Sequence, residues 1–199
     1  MLTDRIVFLD VETGGLEYQH PIIQIGAVAV SEGEICDQFE RKLLFEPKLC
    51  DAEALRLNRY NPAVWEKEAV PERHAVLEFK VFLRKHAAVR KVAKGKKGRP
   101  YMVARVGGHN VEGFDGPRLL RLFKRSREYL PADIHRPLET RNRAIWWFLE
   151  NHRKPPEDFK LETLCRHFGI NTDGAHDALR DAELAWLLAD QLSRGNERG

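Results

Sequence analysis

Apolar residues run almost without interruption over residues 6–11 and again over 22–30, each run rich in Ile and Val, which is the pattern of strands covered on both faces. A turn at Thr13-Gly14-Gly15 separates them, and a second turn, Ser31-Glu32-Gly33-Glu34, leads into residues 35–44, whose alternation predicts a half-exposed third strand and so an antiparallel meander. The period then changes. Residues 52–59 read as a short helix, and over 72–86 Ala75, Val76, Phe79, Phe82 and Leu83 recur at helical spacing and define a core face. Residues 101–106 read as a fourth strand ended by Gly107-Gly108. A helix is expected after Asp115, with Leu119, Leu120, Leu122 and Phe123 as its apolar stripe. The last third is mainly helical, at about 141–152, 161–168 (closed by Gly169) and 177–192. Trp146, Trp147 and Phe148 are consecutive in the first of these, face different directions, and read mainly as core.

A meander followed by alternating strands and helices predicts one α/β domain over residues 1–194, with a mixed sheet, the first strand central, and a short polar tail at 195–199. Neither an internal repeat nor an interdomain linker is visible. The 199 residues, 43% hydrophobic and 32% charged, suit a single core. No run approaches the roughly 18 apolar residues of a membrane span, and the N-terminal residues lack a signal-peptide pattern, so a cytoplasmic protein without membrane contact is expected. Cys36, Cys50 and Cys165 are too scattered for a disulfide framework, and Cys165 with His167 lacks the further soft ligands a zinc site needs.

Charge changes the picture through its distribution. The net value is only +3, yet residues 84–99 carry eight Lys or Arg and no acid, and Arg118, Arg121, Lys124, Arg125 and Arg127 follow. Such segments can track a phosphate backbone, or they can be a solvated helix end and a Lys/Gly loop. A dinucleotide or phosphate-loop reading fails, because Gly14-Gly15 lacks the Gly-x-Gly-x-x-Gly pattern and the phosphate-loop Lys.

The first strand holds the anomaly. Asp10 and Glu12, two positions apart, point to the same face of a strand otherwise fit for burial, while Val11 points to the other. Two carboxylates so placed repel unless a hard divalent cation sits between them, which makes Mg²⁺- or Mn²⁺-assisted phosphate chemistry the first expectation. Two such ions, roughly 3.5–4 Å apart, require about four carboxylates. Asp115 is a candidate at a helix start, where an N-cap is the alternative explanation. Asp181 is another. His176 precedes it by five residues, about 500° of helix, so the two would not share a helical face. His176 is therefore expected on the loop before the helix, with Asp177 or Asp173 as cap. A neutral imidazole there, with a pKa of about 6.5, could accept a proton from water.

With these residues identified, the chain resembles the DEDDh 3′→5′ exonucleases of the ribonuclease H-like fold, which include the proofreading subunit of bacterial replicative polymerase and ribonuclease T. The resemblance is carried by Phe8-Leu-Asp-Val-Glu-Thr-Gly14, by His109-Asn110 with Phe114-Asp115, and by His176 to Asp181, with residues 161–170 resembling the helix that usually precedes the last motif. It implies a five-stranded mixed sheet flanked by helices. It also implies two divalent ions held by Asp10, Glu12, Asp115 and Asp181, with Asp10 bridging and His176 as general base. Terminal phosphodiesters at single-stranded DNA or RNA 3′ ends would be hydrolysed to nucleoside 5′-monophosphates, with DNA slightly favoured. Thr13, Gly14, Leu16, Asn58, Asn110 and Phe114 are the implied substrate-binding residues; Asn58 and Arg59 could line the strand path, and Tyr60 or Trp65 could either stack on bases or be ordinary packing residues. Three residues, not the usual two, separate Asn110 from Phe114, a spacing more like family B polymerase exonuclease domains. The alternatives are a non-catalytic module that binds nucleic acid or a polymerase, and an endonuclease of the same fold. Polymerase association and oligomeric state stay open.

Overall fold

A computed structural model describes residues 5–93 and 98–194; the basic tip at 94–97 and the tail at 195–199 lie outside the described residues. The meander is present as β1 (Ile6–Thr13), β2 (Ile22–Ser31) and β3 (Glu34–Lys42), antiparallel throughout, with β1 and β2 buried and β3 largely exposed. Two short helices come next, α1 (Ala52–Leu57) and α2 (Pro62–Glu68). The second has no apolar periodicity to announce it. It starts because Asn61 accepts the Ala63 N–H and Pro62 presets the first turn. Helix α3 (Glu72–Lys85) buries the five residues its spacing picked out.

The single fourth strand expected over 101–106 is two strands in two sheets. β4 (Ala87–Val92) and β5 (Pro100–Ala104) form a separate antiparallel hairpin, so part of the basic run 84–99 is an edge strand with alternating exposure. At Ala104 the chain is captured by the Pro131–Asp133 segment, whose backbone exchanges hydrogen bonds with it on both sides. It then enters the main sheet as β6 (Val106–Gly108) beside β1 and parallel to it. Helix α4 (Asp115–Arg125) buries Leu119, Leu122 and Phe123, whereas Leu120 of the expected stripe is exposed. A two-residue strand, β7 (Leu138–Glu139), closes the sheet in the order β3-β2-β1-β6-β7. Helices α5 (Thr140–Glu150), α6 (Leu161–His167) and α7 (Ala178–Arg194) complete the fold. Gly169, at φ +74°, ends α6 in the left-handed conformation common after helices.

The sheet is covered on both faces. Val7, Leu9 and Val11 of β1 pack with α3 and α4, while Ile6 and Phe8 meet Ala185 and Trp186 of α7; α5 and α6 pack outside α7 through Phe148, Leu164 and Cys165. Trp147 belongs to this outer layer, against Phe148 and Phe168, but Trp146 is 61% exposed and is not core. One close approach joins α7 to the sheet. Gly26 pairs with Asp10 across the sheet, and a Cβ on it would lie 2.1 Å from the backbone of Ala178 and Leu179. Only a glycine lets the first turn of α7 sit this close to the sheet beside Asp10.

Candidate active site

The even-numbered positions of β1 face α7, so after Ile6 and Phe8 the same face presents Asp10 and Glu12 at the C-terminal end of the strand. Asp181, in the first turn of α7, comes down to meet them. Ligand oxygens of Asp10, Glu12 and Asp181 all lie within 4.8 Å of one another. Asp115 stands beside this group, 2% exposed, at the first position of α4. It is not an N-cap. Its Oδ1 accepts the Val11 N–H at 2.9 Å, which fixes the start of α4 to β1 and sets the carboxylate on the wall of the same cleft.

Among the described residues no cation forms an ion pair with these four acids, and every one of them is raised, by burial and by its acidic neighbours. Asp10 is pushed well above the carboxylate range, first by burial and then by Asp115, Glu12 and Asp181. Burial carries Glu12 to about 8, with Asp181 adding to it, and carries Asp115 to about 8 against the opposing Val11 hydrogen bond. Asp181 rises to about 6, again chiefly through burial. A site that disfavours its own ionisation and offers only hard oxygen donors fits a divalent cation such as Mg²⁺ or Mn²⁺.

His176 lies on the loop before α7, as its spacing from Asp181 requires, and is exposed with φ 65°. Its backbone N–H donates to Asp181 Oδ2 at 3.3 Å, and the residue lines the cleft. Asp177, and not Asp173, caps α7, through Oδ1 to the Arg180 N–H. The other oxygen of Asp177 accepts from the buried Gln24, which ties the His176 loop to β2. Asn110 is likewise held at φ 69°, and its N–H and that of Glu112 donate to the two oxygens of Glu139, each at 2.7 Å. His109 is half-buried beneath this loop, bonded to Thr140 Oγ1 and to the Phe159 carbonyl, and desolvation lowers it to about 4. Its Nε2 donates to the Phe159 carbonyl.

The cleft so formed, of about 480 Å³, brings together Asp10, Glu12, Asn110, Phe114, Asp115, His176 and Asp181. Arg141, Asp158, Phe159 and Lys160 also line it, and no sequence pattern singled them out. The remaining candidates lie around the turn after β1. Thr13 donates its hydroxyl to the Gly15 carbonyl, and both polar backbone groups of Gly14 are committed, to Pro21 and Asp51. Asn58 donates to the Thr13 carbonyl, bracing this turn from the end of α1. Leu16 is 83% exposed at its tip. Tyr60 packs between Phe45 and Trp65, and Trp65 is buried, so neither forms an open stacking face.

The three arginines on α4 are used internally. Arg118 is buried, lies 3.6 Å over the Phe114 ring, and donates to the Phe114 and Leu16 carbonyls; Arg121 lies over Tyr18 and donates to His20; Arg125 pairs with Glu72.

No family model and no curated protein matches the sequence. Solved structures do. E. coli exonuclease I in a zinc-bound complex with single-stranded DNA superposes with a TM-score of 0.74 at 18% identity, over 99% of this chain and 42% of that one. Its complex with a dT13 oligonucleotide gives 0.74 at 18% over 96% and 41%, and exonuclease I without ligand gives 0.72 at 17% over 97% and 42%. The fold is ribonuclease H-like. At such identity the likeness establishes the sheet and its flanking helices, and the chain spans about two-fifths of the exonuclease I chains it matches. Among the described residues, no helix is long and apolar enough to cross a membrane.

Proposed function

We propose that this chain is a metal-dependent 3′→5′ exonuclease acting on single-stranded nucleic acid ends. The observation that carries the reading is the convergence of Asp10, Glu12 and Asp181, with no cationic side chain paired to them among the described residues, at the end of a buried strand with His176 beside them. Asp10, Glu12 and Asp181 would hold one divalent ion, and Asp10 with Asp115 a second. When bound, such ions acidify an attacking water and neutralise charge on the phosphodiester. The chain's own groups do the rest. The His176 imidazole accepts the proton of the water, its loop held in place by Gln24, Asp177 and Asp181. Asn110 and Phe114 face the reacting nucleotide from the cleft wall. Leu16 meets the terminal base from a turn whose shape Thr13, Gly14 and Asn58 set. Single-stranded DNA is the first substrate to try, because it is what the neighbouring exonuclease I structures hold.

The test is digestion of 5′-labelled single- and double-stranded DNA and RNA, and of a circular single strand, with Mg²⁺ or Mn²⁺. The expected result is a ladder of shortened labelled strands, an uncut circle, and no product from Asp10→Asn. Cutting of the circle, or wild-type rates from Asp10→Asn, would overturn the reading. Metal-independent binding of strands without cleavage would make the chain a binding module.

A further inference from the structure

Five carboxylates line the cleft, and among the described residues only two permanent cations do, Arg141 and Lys160. Their situations differ. Lys160 precedes α6 in a turn where Asp158 accepts its N–H, and its Nζ lies 3.2 Å from the same carboxylate, so its charge is already partly answered. Arg141 enters the cleft from the first turn of α5 and has no hydrogen bond or ion pair among the described residues. Its helix explains why. The positions three and four residues on are Ala144 and Ile145, Arg143 takes Glu150, and Glu139 spends both oxygens on the Asn110 and Glu112 amides. The guanidiniums of α4 have a carboxylate, a carbonyl or a ring; this one faces an open cleft.

Arg141 is also set apart from the acids it shares the cleft with. Its neighbour Thr140 meets His109 Nδ1, and His109 Nε2 meets the carbonyl of Phe159, which precedes Lys160, so Arg141 and Lys160 belong to the His109 side of the cleft, whereas Asp10, Glu12 and Asp181 converge at the end of β1. A phosphate seated over the carboxylates would be met by the ions they hold, which leaves the guanidinium for a neighbouring phosphate. In a strand with a free 3′-hydroxyl the bond cut is the last phosphodiester, so every further phosphate lies on its 5′ side. A planar guanidinium without a partner suits the two non-bridging oxygens of such a group.

We propose that Arg141, with Lys160 beside it, forms a subsite for the phosphodiester immediately 5′ of the one that is cut, gripping the strand by that charge. The subsite rests on the exonuclease reading and sharpens it. It makes the enzyme's hold on a substrate depend on a phosphate that takes no part in the reaction. It also predicts that a substrate with a single phosphodiester escapes the dependence.

The experiment compares wild type with Arg141→Ala and Arg141→Lys on three substrates: an oligodeoxynucleotide, the same strand with one neutral methylphosphonate 5′ of the terminal linkage, and the p-nitrophenyl ester of thymidine 5′-phosphate. Arg141→Ala is expected to raise KM on the oligonucleotide about tenfold with kcat little changed. The dependence of log kcat/KM on log salt should become shallower by about 0.7, as for one lost phosphate contact on a single strand. The methylphosphonate should penalise wild type and leave the Ala variant no worse, the ester should be hydrolysed alike by both, and Lys should recover part of the loss. An equal methylphosphonate penalty in Arg141→Ala, or an equal loss on the ester, would overturn the subsite. Anisotropy of the labelled strand, with Arg141→Ala placed in an Asp10→Asn background, repeats the comparison without turnover. If wild type cleaves nothing but this binding difference stands, the subsite survives and the catalytic reading falls.

Discussion

The carboxylates at the end of β1 and the guanidiniums along α4 are neighbours, and the fold treats them in opposite ways. Asp115 and Arg118 are one helical turn apart and both buried. Arg118 has a ring and two carbonyls; Arg121 and Arg125 are similarly answered. The acids have mainly each other. A buried charge that the chain satisfies is part of the scaffold, and one that it leaves opposed by its own kind is waiting for something from outside. The guanidiniums therefore shape the site, while the carboxylates address a ligand.

The largest expected effect comes from removing one of the unanswered charges. Asp181→Asn should lower metal-dependent turnover by at least roughly 10³, since several kcal/mol of charge stabilisation are lost. In chelator it should nonetheless raise the melting temperature, because one source of repulsion is gone. A variant that loses stability without metal would break the contrast.

A pH scan sharpens it further. Glu12 and Asp115 near 8 and Asp181 near 6 hold protons that the unfolded chain, with ordinary carboxylates, has released. Between about pH 4 and 8 the folded state therefore binds more protons than the unfolded one, and stability falls as pH rises. Calorimetry in chelator should show a decline of several degrees across that window. Saturating Mn²⁺ should remove it, and a flat profile in chelator would mean that the acids are not opposed.

The smallest effect is on the other side. Arg118→Ala should cost about 1–3 kcal/mol in urea unfolding, by leaving the Phe114 and Leu16 carbonyls without their donor. The exposed Lys124→Ala should stay within about 0.5 kcal/mol. Equal costs would make Arg118 an ordinary surface cation.

The two groups were not equally legible in the sequence. Asp10 and Glu12 stood out because a strand's period of two places both on one face of an apolar run, and His176 was assigned to a loop by helical geometry alone. The strands of the meander and the buried face of α3 came from periodicity in the same way. The basic residues carried no such information, since charge density says nothing of whether a guanidinium ends over a ring. β7 could not be seen, because two residues have no period, and with it went Glu139. β4 was hidden in a charge run, and the Gln24 to Asp177 tie joins residues 153 positions apart. Arg141 had no signal. Its importance lies in the partner it lacks, which only the packed chain reveals.

Gly26 has no side chain to offer a ligand, yet it sets the thickness of the layer between β2 and the first turn of α7. A side chain there would lift Asp181 away from Asp10 and Glu12 without altering any ligand. The spacing of the three carboxylates is thus governed from within the sheet by the absence of a methyl group.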